Sequence, residues 1–300
     1  MQHIKSISLL LFCICFPAAA QDANSIRWTL QPGDNLQTTL EQTTEIETNI
    51  DTRKKKIGND MLLIIDWQID KVDGDRIEMT QSINRIKLQV HRPSKNAIET
   101  TLIDTESTNK PAPGLAVHLH AQIAKLVGTK FSVVMSTRGE VLTVKIPESS
   151  MARIRQAPAS MTLRKLLTED GLKDVLGQSA IIFPENNADN EWSVRSEAKN
   201  AMGKVARETS ISYEGKTDRN EARVHTFAMK SSAEIAEPAT TEDPPTMDDY
   251  SGWGSAWFAN DANPVFESNF ENRMNVSRKY RDQEIISTVS TTTKMRVVKK

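Results

Sequence analysis

The 300-residue chain has only two cysteines, Cys13 and Cys15, and both stand within its first twenty residues. Once those residues are removed no thiol is left, which excludes disulfides, cysteine nucleophiles and Cys-type zinc sites. A dominant sign of charge is also lacking, since 38 Lys and Arg face 39 Asp and Glu for a net charge of -1. Such a chain sets up no overall field that recruits nucleic acid or an anionic membrane surface. Its basic clusters, at 53–56 and at Lys299 with Lys300, read as solvated turns and ends. No apolar run reaches the roughly 20 residues that a membrane-crossing helix needs. Aromatic residues make up 5% of the chain, so any place where they gather stands out.

What is present begins with a leader. A short basic start at Lys5, an apolar run over 7–16 and the sequence Pro17-Ala18-Ala19-Ala20 have the layout of a secretory signal peptide with an A-x-A cleavage site. Residues 1–20 are therefore expected to be an export leader, and 21–300 a single exported β-rich domain, built in one piece or in two similar halves. The product is expected in the periplasm or outside the cell. Removing Lys5 takes the net charge from -1 to -2 and leaves 280 residues (300 minus 20), ample for a large core.

Alternation with a period of two dominates that domain, the mark of strands with one face buried. Over 36–50 the even positions carry Leu36, Leu40, Ile46 and Ile50 among threonines, while the odd positions are polar. Over 61–72 the apolar face is Met61, Leu63, Ile65, Trp67 and Ile69, and Asp73-Gly74 follows as a hairpin turn. In the next strand the apolar parity switches from Ile77, Met79 and Ile83 to Ile86, Leu88 and Val90. A one-residue slip would send the wrong face inward, so a β-bulge near Asn84 and Arg85 is expected. Further strands are read over 131–135, 141–146, 181–183, 192–196, 205–213, 223–229, 254–258, 265–270 and 285–298.

Two segments have helical periodicity instead: 115–127, closed by Gly128, and 160–177 with Leu163, Leu166, Leu167, Leu172 and Leu176 on one side. The acidic, proline-bearing stretch at about 237–249 reads as an exposed loop. The expected fold class is α+β: a large, curved, mostly antiparallel sheet, half-barrel or cup-like, with two amphipathic helices packed on it.

Chemistry is sparse. The chain has no Gly-x-Ser-x-Gly elbow, no His-Glu-x-x-His and no phosphate-cradling glycine loop. His118 and His120 form a His-x-His pair, but on a helix that spacing separates the rings by about 200°, so no metal site is expected. No catalytic residue and no cofactor are expected either. The aromatic high point is 250–258, where Trp253, Trp257 and Phe258 stand among glycines. Large rigid rings bind at low entropic cost, which makes these three the candidate ligand-binding residues, for sugar, peptide or lipid. The alternative is that Trp257 is core and Trp253 covers a sheet edge.

Several short segments carry a resemblance to a known family. They are Arg27-Trp28-Thr29-Leu30-Gln31-Pro32-Gly33-Asp34, then Phe131 to Val141 with its Arg138-Gly139-Glu140 turn. Phe183-Pro184 ahead of Trp192 and Gly254-Ser255-Ala256-Trp257-Phe258 ahead of Glu267-Ser268 complete the series. Together they resemble the uncharacterised bacterial secreted proteins of domain of unknown function 6263. The chain departs from that pattern at 186–190, where the family has a glycine-aspartate turn. The resemblance implies an exported bacterial β-rich protein and assigns no catalytic residue.

These features point to a non-enzymatic exported binding or scaffold protein of the bacterial envelope, lipid-carrier-like, with an apolar ligand cavity between sheet and helices. Its partner would be an apolar small molecule or an envelope protein; nucleic acid is not expected, nor a membrane span. The alternatives are a structural or protein-interaction module using the acidic loop and Trp253, and a hydrolase whose site has no recognised motif.

Overall fold

The computed structural model describes residues 26–50, 53–94, 98–109, 111, 114–156, 168–178, 181–185, 190–200, 202–219, 222–240, 243–259, 265–280 and 283–300. The expected leader over 1–20 and the first half of the second expected helix lie outside the described residues.

Twelve strands form one open antiparallel sheet. One wing is made by β1 (Asn35–Ile50), β2 (Arg53–Asp73), β3 (Arg76–Pro93), β4 (Ile98–Asp104), β5 (Lys130–Ser136) and β6 (Val141–Lys145). The other wing is made by β7 (Glu191–Asn200), β8 (Gly203–Arg219), β9 (Ala222–Pro238), β10 (Thr246–Ala259), β11 (Val265–Tyr280) and β12 (Gln283–Lys299). The order across the sheet is β6-β5-β3-β2-β1-β12-β11-β10-β9-β8-β7, with β4 also paired to β3. The second wing is a meander of hairpins, whereas in the first β3 pairs with β5 over 76–82 and with β4 over 87–93; the two wings meet where β1 pairs with β12 from Leu36 opposite Lys299 to Asn49 opposite Ile286. β2 runs for 21 residues, far beyond the usual five or six. Strands of that length accumulate the right-handed twist that makes a sheet curl.

The alternation puts one apolar face inside across all the main strands. Leu36, Ile65, Ile69, Ile77, Met79, Phe227, Phe258, Phe266 and Val297 are all nearly fully buried on it. The expected bulge is present: Ile64 lies opposite Arg85 and Ile65 opposite Ile83, so Asn84 is the extra residue and the inward set changes parity there. Gly74, at φ 58, makes the hairpin turn between Asp73 and Arg76.

Helices do not fill the concave face as expected. Two extended segments enter it, 26–30 and 181–184. Trp28 meets Phe258 edge to face with centroids 5.0 Å apart, and lies 6.1 Å from Phe266 and 6.3 Å from Trp67. Phe183 packs against Phe258 at 5.0 Å and Phe227 at 5.7 Å. Burying each such ring contributes about 1.5–3 kcal/mol relative to exposure. The irregular backbone of these segments is satisfied by the turn between β5 and β6: Trp28 N donates to Thr137 O at 2.8 Å, Phe183 N to Arg138 O at 2.8 Å, and Arg138 Nε to Phe183 O at 2.6 Å. Trp192 Nε1 on β7 donates to Ile182 O at 2.7 Å. The segment 181–184 thereby straps the two outer edges of the sheet together at one end. Of these, 181–183 reads as a strand in the sequence, whereas 26–30 stands out there only within the motif Arg27 to Asp34. Neither has a sheet neighbour, because the cup's interior takes them as filling.

Because the filling occupies one end only, burial fades along β1: Leu36, Thr38 and Leu40 are buried, whereas 42, 44, 46 and 48 are only half-buried. The helices gather at the β4 to β6 side. α1 (Leu115–Ile123) continues as a 3-10 turn through Leu126 and packs on β4. α2 (Glu148–Gln156) was not expected, since its sequence is mostly polar; Pro147 O accepts from Ser150 N and Met151 N to start it, and Ser150 Oγ donates to Lys130 O at 3.0 Å. α3 (Glu169–Gln178) is the described part of the second expected helix, and its Leu172 and Leu176 join the core beside β6. The acidic loop is shorter than expected: Glu237 and Pro238 belong to β9 and 246–249 to β10. Asp248 sits at an irregularity of β10, unpaired in the ladder, and accepts a hydrogen bond from Ser277 Oγ.

Candidate functional site

Strand alternation divides the three aromatic candidates. Phe258 points inward and is fully buried against Trp28 and Phe183. Trp253 and Trp257 are four residues apart on the opposite, outer face of β10, which puts their Cα atoms roughly 13 Å apart. Trp253 is 48% exposed on a face that is otherwise largely polar.

Register sets what lies between them. Glu191 is opposite Ser212, Ser212 opposite Ala228, Ala228 opposite Ser255 and Ser255 opposite Asn269, so one row crosses β7, β8, β9, β10 and β11. The side chains in the middle of that row are small. The next row, Ser210, Lys230, Trp253 and Glu271, rises on one side, and Trp257 rises on the other. The result is a cross-strand groove with a cavity of about 490 Å³, lined by these residues. At about 4.8 Å between strands, five strands give it a length of roughly 19 Å.

The inner face fixes the floor. Phe270 lies across Gly252 and Gly254, where an added Cβ would come within 2.7 and 2.8 Å of its ring, so the two glycines let β10 lie flat beneath the ring. On the outer side Trp257 is braced: the Arg219 guanidinium lies 3.9 Å from its ring centroid, and Glu267 ties Arg219 (Nε to Oε2, 3.0 Å) to Arg296 (Nε to Oε1, 3.2 Å). Arg219 does not line the groove, so it holds the indole from the far side. Polar capacity in the groove is unspent. Asn269 Oδ1 is buried without a hydrogen-bond donor, and among the described residues Glu191, Lys230 and Glu271 make no ion pair.

A second arrangement, involving a histidine that the sequence did not single out, lies on the outer face of the other wing. His91 Nε2 is 3.0 Å from Asp60 Oδ2 and its Nδ1 is 3.0 Å from Thr100 Oγ1, while Thr43 donates to Asp60 Oδ1 at 2.7 Å. The hydrogen bond with His91 holds the Asp60 carboxyl below the usual carboxylate range, with Thr43 adding to it. The four residues stand on β1, β2, β3 and β4 as a polar rung that crosses four strands. His118 and His120 are on helix α1 as expected, and among the described residues no group of three or more His, Cys, Asp or Glu is placed to hold a metal ion.

No protein-family model matches the chain, and no curated protein matches it. Among solved structures the chain is similar to lipovitellin, in a structure of its lipid-protein interactions, at 8% identity and TM-score 0.49 over 91% of this chain. The chain spans about a quarter of that protein's length, 25%. It is also similar to the outer membrane protein OprG of Pseudomonas aeruginosa (5% identity, TM-score 0.21, 90% of this chain and 97% of that one). A third similarity is to the COG4313 outer membrane channel of Pseudomonas putida F1 (6% identity, TM-score 0.24, 91% and 98%). At these TM-scores the likeness carries no functional argument. The outward positions of β1, namely Gln37, Thr39, Glu41, Thr43, Glu45, Glu47 and Asn49, are polar or charged, the reverse of a lipid-facing barrel strand.

Proposed function

We propose that this is a non-enzymatic binding protein of the bacterial envelope, and that its ligand seats in the outer-face groove between Trp253 and Trp257. The observation that carries this reading is a cavity of about 490 Å³ floored by small residues and walled by a half-exposed tryptophan. That volume falls within the roughly 300–1,000 Å³ of ligand sites. A tryptophan left exposed beside an open groove is the kind of residue that dominates binding energy. The layout of 1–20 as an export leader supports the envelope location. The resemblance to the domain of unknown function 6263 family belongs to the same reading.

Native mass spectrometry of the protein purified without detergent from its own host tests it. A bound species is expected with the natural chain and is expected to be lost in Trp253→Ala. A ligand-free natural chain would count against the reading.

A second reading has its own observation. Beyond the aromatic filling, the concave face has a half-exposed apolar row in which Ile57, Ile46, Val289 and Met274 lie opposite one another across four strands. An acyl chain could lie along it, which is the carrier form of the same binding role. Uptake of a fluorescent fatty acid that Ile46→Asp abolishes and Trp253→Ala leaves intact would favour this site over the groove.

A further inference from the structure

We propose that the groove's ligand is an oligosaccharide. This rests on the groove being the binding site and names the chemistry it selects. Three observations decide among the ligand classes. First, the floor offers no main-chain recognition. β8, β9 and β10 are each hydrogen-bonded to neighbours on both sides, so a peptide cannot add as a strand there, and only side chains are left to contact a ligand. Second, the polar groups at the groove need partners that carry hydroxyls. Glu191, Ser212, Ser255 and Asn269 lie in one row, and beside it Lys230 and Glu271, like Glu191, make no ion pair among the described residues. An acyl chain would cover these groups and satisfy none, at a cost for each one left unpaired. A sugar ring brings donors and acceptors at the spacing of neighbouring hydroxyls, and a carboxylate or amide accepts from them.

Third, the aromatic walls suit the apolar faces of sugar rings. Trp253 is 48% exposed, and Trp257 is immobilised from behind by Arg219 at 3.9 Å. Two tryptophans with Cα atoms roughly 13 Å apart leave room for more than one ring, so the groove selects a short chain over a monosaccharide. Trp253 supplies the stacking platform, Glu271 accepts a hydroxyl near the β11 end, and Glu191 accepts one at the β7 end.

The test uses the full exported chain on a glycan array, then isothermal titration and tryptophan fluorescence with cellohexaose, maltoheptaose and chitohexaose. At least one glycan class is expected to bind and to shift the tryptophan emission. Trp253→Ala should weaken binding at least tenfold, Trp253→Phe less, and Glu271→Ala severalfold, with circular dichroism showing each variant folded. Absence of glycan binding on the array, or binding undiminished in Trp253→Ala, overturns the proposal. The two levels separate cleanly: a host-derived ligand that needs Trp253 but is not a glycan overturns the sugar assignment and keeps the groove. A natural chain that is ligand-free from its host and also binds no glycan overturns both.

Discussion

Trp28 meets Phe258 edge to face at 5.0 Å, so the start of the described chain is pinned against the strand that presents the tryptophan groove on its other side. The contact joins the interior filling to the floor of the candidate site. Trp28→Ala should lower stability by about 3–5 kcal/mol, as large-to-small changes at buried aromatics do, and Trp28→Phe by clearly less. Urea unfolding followed by circular dichroism measures both. A loss under 1 kcal/mol for the alanine variant would mean that the segment 26–30 is not part of the core.

Gly139 is required twice. Its φ of 92 lies in the left-handed region, and an added Cβ would sit 2.6 Å from Ile181 O and 3.2 Å from Trp28 Nε1. Gly139→Ala should therefore cost about 1–3 kcal/mol through overpacking alone. It should also loosen both filling segments together, seen as faster amide exchange at Trp28 and at Phe183. Loosening at one segment only would show that the turn does not couple them.

Arg85 grips Asp104 with two hydrogen bonds, Nε to Oδ1 at 3.1 Å and Nη2 to Oδ2 at 2.7 Å, and Asp104 is only 13% exposed. Those hydrogen bonds hold the Asp104 carboxyl below the usual carboxylate range. A carboxyl whose folded pKa is depressed contributes stability that is complete above its unfolded value, near 4, and lost as pH falls through the folded value. Asp104→Asn should thus destabilise by about 1.5–3 kcal/mol at pH 7, with the gap to the natural chain narrowing as the pH falls below the unfolded value. Denaturant midpoints across that range provide the check, and a gap independent of pH would contradict it.

Asn84 is the extra residue that lets β3 keep its apolar side inward on both sides of the bulge. Deleting Asn84 should turn either 77–83 or 86–90 outward, abolishing cooperative thermal unfolding. Asn84→Ala, which keeps the count, should cost under about 1 kcal/mol. Equal behaviour of the two variants would show that residue count is not what matters there.

Much of the fold was legible because burial on one face leaves a period-two trace in the sequence itself. The parity switch between Ile83 and Ile86 located the bulge, and Asp73-Gly74 located a hairpin. The filling segments were not legible. Apolar 181–183 looks like a strand, 26–30 stands out only within its motif, and nothing local tells an extended chain that joins a ladder from one that enters a cup. α2 was missed because its stability comes from where it docks, against the 3-10 turn and Lys130 O, and not from a strong apolar stripe. The His91 and Asp60 pair was hidden by counting: the turn at Gly74 gives an approximate register, and two irregularities between β2 and β3 shift it.

The candidate site divides in the same way. Alternation by itself put Trp253 and Trp257 on one face of β10 and Phe258 on the other, because successive side chains of a strand point to opposite sides. Which face is the interior, and which small residues line up beside the tryptophans, depended on pairing between strands far apart in the chain. Ser212, Ala228 and Ser255 become one groove floor only through the register of three strands, and the bulges and hairpin turns that set this register act over the whole sheet.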